Sequence, residues 1–399
     1  MDHASVVKGL FLAVPLLLLG LKLIPGGWRT RVPAAVAAGV LIGQIVAAIL
    51  PPGDLSYAAS FLTMASIYAV LALGLNCQWG YNGHLNFGIA GFFAVGAFTT
   101  ALVTTSAPTG TMATYTQQAF GLEMPFLVGL LAAAVVAGIV AFLIAIPVLR
   151  LRMDFLAIAT IGIAEIIRLI FQNERWLANG PQPLRGIPQP LHCLFEAPGC
   201  GPAFVQAFLE PLEARHYTFF YLVIVTLVLA LVYIVVETAT RSPWGRMLRA
   251  VRDEEASAGM NGKNVTGVRI QSFVLGGAIM GLAGGLYAHY TITIDYTHFR
   301  PLFATFIVWV MLMLGGSGNN KGAMLGAFII WAVWSGTSFL TGALEPALAA
   351  IHPDLPERSA YLRWLFVAIL LGGIVLFRPQ GILPEESVVS RYVTRRRDE

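Results

Sequence analysis

Long apolar runs separated by short polar turns set the pattern of this chain. A bilayer core takes about 20 helical residues. About eleven runs approach that length: 8–25, 32–50, 57–77, 84–106, 125–149, 154–173, 218–237, 269–290, 302–318, 322–340 and 361–377. They lack the alternation over about ten residues that marks a membrane β-barrel strand. In hydrocarbon every backbone group must be bonded within its own segment, so the runs are read as helices. The expected fold is an all-α polytopic membrane protein of about ten to eleven transmembrane helices. One stretch, 74–98, reads as interrupted, because glycines and five polar side chains break its apolar character.

Composition agrees with the pattern. Charged residues make up 12% of the chain and hydrophobic ones 57%, with a mean hydropathy of +0.74. Soluble domains carry about 25% charged residues, so a water-soluble enzyme is excluded. A net charge of +4 on so few charges argues against a nucleic-acid partner. Placement says more than the total. Alternate loops gather Lys22, Arg29, Arg31, Arg150, Arg152, the cations of 241–269, Lys321, Arg378 and those of the C-terminal tail on one side. The other side holds only Lys8, Arg175, Arg185, Arg215, Arg300, Arg358 and Arg363. Cytoplasmic loops are the Lys/Arg-rich ones. The N-terminus is therefore expected in the periplasm and the C-terminus in the cytoplasm, with loop 174–217 outside and loop 241–268 inside. Cys77 reads as a small buried hydrophobe. Cys193 and Cys200 share the outer loop, either as one bridge or as two thiols. No cleavable signal peptide is evident, since Pro25-Gly26-Gly27-Trp28-Arg29 follows the first apolar run.

Polar groups inside apolar runs are costly and mark function or internal pairing. Glu165 and Arg168 lie at i, i+3 within 154–173 and share a helix face. They read either as a self-neutralising pair or as part of a solute pathway. Asn76, Gln78, Tyr81, Asn82, His84 and Asn86 interrupt a glycine-rich stretch. It reads either as a plain turn or as a broken helix, which is tolerated at membrane depth when it lines a cavity or is buried in protein. His84 has no second ligand at metal-binding spacing, so no metal site is expected. Residues 315–322 and 262–264 lack the Gly-Lys-Ser/Thr ending of a phosphate loop and read as turns. With no nucleotide motif and no catalytic cluster, the chain is not expected to be an enzyme or to hold a cofactor. Its energy must come from an ion gradient or another subunit. Residues 244–255 form a short amphipathic helix, with Met247, Leu248 and Val251 on one face and Arg246, Arg249 and Arg252 on another. Such a helix lies on a membrane or in a partner's groove.

Four segments resemble the inner-membrane permease subunits of bacterial ABC importers for branched-chain amino acids, the LivM type. They are Gly74-Leu75-Asn76 with Gly80 to Gly83 and Gly88 to Phe98; Leu149 to Thr160 with Glu165 to Arg168; Ser242 to Arg246 with Arg252 to Glu255 and Gly262-Lys263-Asn264-Val265; and Gly281 to Tyr287 with Phe377 to Gly381. The chain departs from the family pattern at Asn86 and Ile89, in 295–301 and in 316–320. The resemblance implies accessory helices in 1–56, a permease domain in 57–385 and a basic cytoplasmic tail in 386–399. It implies a LivH-like permease partner, two cytoplasmic ATPases that use the ATP, a periplasmic amino-acid-binding protein and membrane lipid. The solute pathway would include Asn76, Tyr81, Asn82, Asn86, Glu165 and Arg168. Coupling to an ATPase would use Trp244, Arg246, Arg249, Arg252, Glu254, Glu255, Gly262 and Asn264. Transport would proceed by alternating access in the bacterial inner membrane. The competing expectations are an ion-driven transporter with Glu165 as proton carrier, and an ABC permease for urea or amides.

Overall fold

A computed structural model describes residues 12, 40–42, 52–109, 116–192, 217–352 and 361–385. The expected spans 8–25 and 32–50 lie almost wholly outside the described residues, as do Cys193, Cys200 and the tail 386–399. Within them the chain runs α1 (Pro52–Leu75), α2 (Ile89–Thr104), α3 (Phe126–Val148), α4 (Met153–Asn173), α5 (Arg175–Ala178), α6 (Tyr217–Arg241), α7 (Pro243–Asp253), α8 (Glu255–Met260), α9 (Val265–Thr291), α10 (Ile307–Gly315), α11 (Asn320–Ile351) and α12 (Leu362–Phe377). Widened helical turns at Asn76–Gly80 and Leu302–Phe306 extend α1 and precede α10. Among the described residues four helices are long and apolar enough to cross a membrane: Leu55–Gly80, Phe126–Val148, Tyr217–Arg241 and Val265–Thr291. Ile89–Thr104, Phe303–Gly315 and Trp364–Ile374 are apolar but shorter. The protein is an all-α polytopic membrane protein.

Helix α9 is the centre of the bundle, packed on α3, α2 and α1, while α1 also holds α6 and α11. Lipid cannot drive helices together by hydrophobicity, so close backbone approach does that work. At the α2–α9 crossing a Cβ on Gly96 would sit 1.9 Å from the Gly281 carbonyl oxygen. A Cβ on Gly284 would sit 2.2 Å from the Phe93 carbonyl oxygen. The two backbones therefore touch, and any side chain there would part the helices. By contrast α4 packs chiefly on α2 and leaves Phe155, Ile158 and Ile166 exposed.

Two boundaries differ from the pattern of apolar runs. The run 84–106 becomes helical only at Ile89. Its first residues stay out of the helix, where the Asn86 side chain accepts the Gly88 N–H at 2.7 Å and the Thr160 hydroxyl accepts the Phe87 N–H at 3.0 Å. The run 322–340 lies inside a longer helix, Asn320–Ile351, which starts where Asn319 Oδ1 accepts the Lys321 and Gly322 N–H groups at 3.0 and 3.3 Å.

At the opposite end of α9 the chain turns through Ile292 in the left-handed region (φ 62°). That conformation is rare for a β-branched residue. It is held by Ile187 N–H donating to the Ile292 carbonyl at 3.1 Å. A reciprocal Leu184–Ile294 pair follows at 2.9 and 3.0 Å. The loop after α5 is thus fastened to the segment after α9.

Candidate functional site

The interrupted stretch is a broken helix buried in protein. Asn76, Gln78, Asn82, His84 and Asn86 are all buried, and a buried amide left without a partner costs about 1–3 kcal/mol. Most find one. Asn76 donates to Asn320 Oδ1 at 2.9 Å and accepts the Gly318 N–H at 2.9 Å. Asn320 in turn donates to Glu237 at 2.9 Å. Gln78 donates to the Phe273 carbonyl at 2.7 Å and accepts from Asn86 at 2.6 Å. Trp309 donates to the Asn86 carbonyl at 3.0 Å. Asn82 bonds Ser272 and lies 3.1 Å from His84 Nδ1. These bonds form a polar collar that ties α1, α6, α9, α10 and α11 together.

Below the collar sits α7. Ser242 caps it, its hydroxyl accepting the Trp244 N–H at 3.2 Å, with Pro243 in the first turn. Gly245, Leu248 and Val251 are buried, and Leu248 packs with Tyr81 and Val268, with Trp244 and Met247 half-buried beside them. The apolar stripe is therefore spent on the chain itself. Trp244 Nε1 donates to Gln271 at 2.9 Å. Arg249 lies 5.9 Å from the Tyr81 ring centre and donates to the Thr240 carbonyl at 3.2 Å. Arg252 donates to the Gly80 carbonyl at 2.5 Å and pairs with Glu385 at 2.9 Å. Burial works against the Arg252 charge, but Glu385 and Asp253 together outweigh it and raise its pKa above the ordinary value. Arg246 and Glu254 are exposed. Glu255 holds Arg269 through two bonds at 2.8 and 2.6 Å. Gly262 ends α8 in the left-handed region (φ 72°), and Asn264 caps α9 through the Gly267 N–H at 2.9 Å.

The third feature is on α4. Arg168 binds both oxygens of Glu165, at 2.9 and 2.5 Å, and donates to Gln172 at 3.2 Å. Its guanidinium lies 5.5 Å from the ring centre of Tyr296. Tyr296 follows Asp295, whose carboxylate accepts the Thr297 and His298 N–H groups at 2.7 and 3.3 Å. Burial pushes the Asp295 pKa up, but the Thr297 bonds and the nearby His298 hold it below the ordinary value. The Glu165 side chain remains 38% exposed on the outside of the chain.

The structure thus brings Asn76, Asn82 and Asn86 together and sets Glu165 and Arg168 apart on another face. Sequence reasoning passed over Glu237, Trp309, Asn320 and Glu385. Glu237 alone carried a signal, as an acid near the end of an apolar run. Arg249 and Arg252 also face the chain's own collar, whereas the helical wheel had grouped them with Arg246.

The fold is a polytopic membrane bundle held by a buried polar collar, with a short helix packed at its end. The chain belongs to the family of branched-chain amino acid transport system permease components, whose model matches residues 57–377. It is similar to the high-affinity branched-chain amino acid transport system permease protein LivM of Salmonella typhimurium, 30% identical over 331 residues, or 81% of this chain and 69% of that protein. A probable LivM of Methanocaldococcus jannaschii is 28% identical over 81% of this chain and 92% of that protein. The guanosine ABC transporter permease protein NupQ of Bacillus subtilis is 26% identical over 78% of this chain and 87% of that protein. No solved structure matches the chain.

Proposed function

We propose that the chain is one membrane subunit of an ATP-driven importer for branched-chain or other apolar amino acids in the bacterial inner membrane. It works with a second permease subunit, two cytoplasmic ATPases and a periplasmic binding protein, and carries no catalytic group or cofactor of its own. One observation carries this reading. The apolar stripe of α7 is buried within the chain, and the exposed residues of 243–264 are mostly polar, among them Arg246, Asp253, Glu254, Lys263 and Asn264, with Met260 of α8 as an exposed apolar side chain. A helix lying on lipid would expose its apolar side. This one suits a soluble partner.

Glu165 and Arg168 support a solute route along α4. Arg168 lies ~7.5 Å and Glu165 ~12 Å from the outer end of the helix at 1.5 Å per residue. Charges at that depth face protein or water rather than hydrocarbon. The α4 face therefore borders the second membrane subunit and the passage between the two. Both Glu165 oxygens are engaged by Arg168, which suits an orienting pair better than a proton carrier. The test is uptake of leucine by the co-purified assembly in liposomes. Uptake requires ATP inside, and Arg246→Glu abolishes ATPase pull-down while membrane insertion is kept. Accumulation by the chain alone on an ion gradient refutes the proposal.

A further inference from the structure

Between the end of α6, the start of α11 and the side of α7 lies an open cleft of ≈ 200 Å³. Four cations line it, Arg241, Arg246, Arg249 and Lys321, with the carboxylates Glu237 and Glu385. The carboxylates are already engaged: Glu237 pairs with Arg241 at 2.7 Å and Glu385 with Arg252 at 2.9 Å. Arg246, Arg249 and Lys321 have no carboxylate partner among the described residues. They come from two separate elements and converge on one concavity, which brings three like charges together. Arg249 is held by the Thr240 carbonyl at 3.2 Å and lies over the Tyr81 ring, but neither neutralises its charge.

An anion removes the repulsion. The cleft opens where two bundle helices end, on the side that the Lys/Arg excess assigns to the cytoplasm, and so at the level of the inner leaflet's headgroups. Basic recesses between membrane helices on that side take phosphate-bearing headgroups. Its volume is several times the ~30 Å³ share of one water, room enough for a phosphate group.

We propose that this cleft binds a phosphate-ester anion, held by Arg246 and Arg249 from α7 and by Lys321 from α11. A bound phosphate then ties the docking helix to the start of α11 by charge. The inference is independent of the transported solute.

The experiment uses the full chain with the subunits it co-purifies with, in nanodiscs of phosphatidylcholine containing phosphatidylglycerol, and reads retained lipid by native mass spectrometry. Wild type retains phosphatidylglycerol over phosphatidylcholine. Each basic group near a membrane surface contributes a factor of about five, so Lys321→Gln lowers that preference about fivefold and Arg249→Gln/Lys321→Gln about 25-fold. Arg150→Gln, on the same side but outside the cleft, leaves it unchanged. Millimolar glycerol 1-phosphate distinguishes the sources. Displacement of the lipid assigns the site to soluble phosphate esters, and retention assigns it to the headgroup. Equal retention of both lipids by wild type overturns the proposal. So does an equal loss in Arg150→Gln.

Discussion

Truncating Asn76 to alanine tests whether the collar holds the bundle together or serves the solute directly. Asn76 is fully buried and makes two bonds of 2.9 Å, to Asn320 Oδ1 and from the Gly318 N–H. Removing the amide leaves an acceptor and a donor without partners. Each such loss costs about 1–3 kcal/mol, so the pair sums to roughly 2–6 kcal/mol. The cleft beside Asn320 gives water a route to the orphaned groups, which places the expected value near the lower end, about 2–3 kcal/mol. Asn320→Ala alone is expected to cost as much, since it strands Asn76 Nδ2 and Glu237. The double variant should cost less than the sum by about 1–2 kcal/mol, because the shared bond is lost only once. Chemical denaturation of the full chain in mixed micelles measures all three. If Asn76→Ala is as stable as wild type but inactive in uptake, the collar is not structural, and Asn76 acts on the solute.

The α2–α9 crossing gives a sharper contrast. Gly96→Ala forces a methyl to within 1.9 Å of a backbone oxygen and should destabilise by at least the ~1–3 kcal/mol of an overpacked core. Gly336→Ala in α11 meets nothing within 4 Å and should gain about 0.5–1 kcal/mol; equal effects in the same denaturation assay would contradict the close crossing. For the α7 anchor, Arg252→Ala should loosen both residue 80 and residue 385, seen as faster amide hydrogen exchange around Gly80. Glu385→Ala should give a smaller effect at the same site, because the Arg252–Gly80 bond of 2.5 Å survives. Unchanged exchange in Arg252→Ala would show that the anchor is not tight.

Much of the bundle was legible because it rests on short-range physics. Apolar length sets the helices, and the run of Asn, Gln and His between 76 and 86 announces a break. What completes that break was hidden. Asn76 and Asn320 are 244 positions apart, and periodicity carries no information about which distant turn will supply a partner. The glycine-rich turn at 315–322 looked featureless for the same reason, although Gly318 and Asn320 supply the bonds that satisfy Asn76. On α7 the wheel placed three arginines on a common face. Arg249 and Arg252 border the buried stripe, so their long stems fold under the bundle to Thr240, Gly80 and Glu385, leaving only Arg246 to the outside. Glu165 and Arg168 were legible as a pair, because their partners lie within one turn.

The central helix also constrains how the two faces of the molecule can move. At 1.5 Å per residue the 27 residues of α9 make a rod of about 40 Å, with no proline to kink it. One end stands beside α7, and the other stops at Ile292, buttoned to the loop after α5 through residues 184 and 187. A roll or tilt imposed at either tip is therefore felt at the opposite tip, as with a seesaw plank.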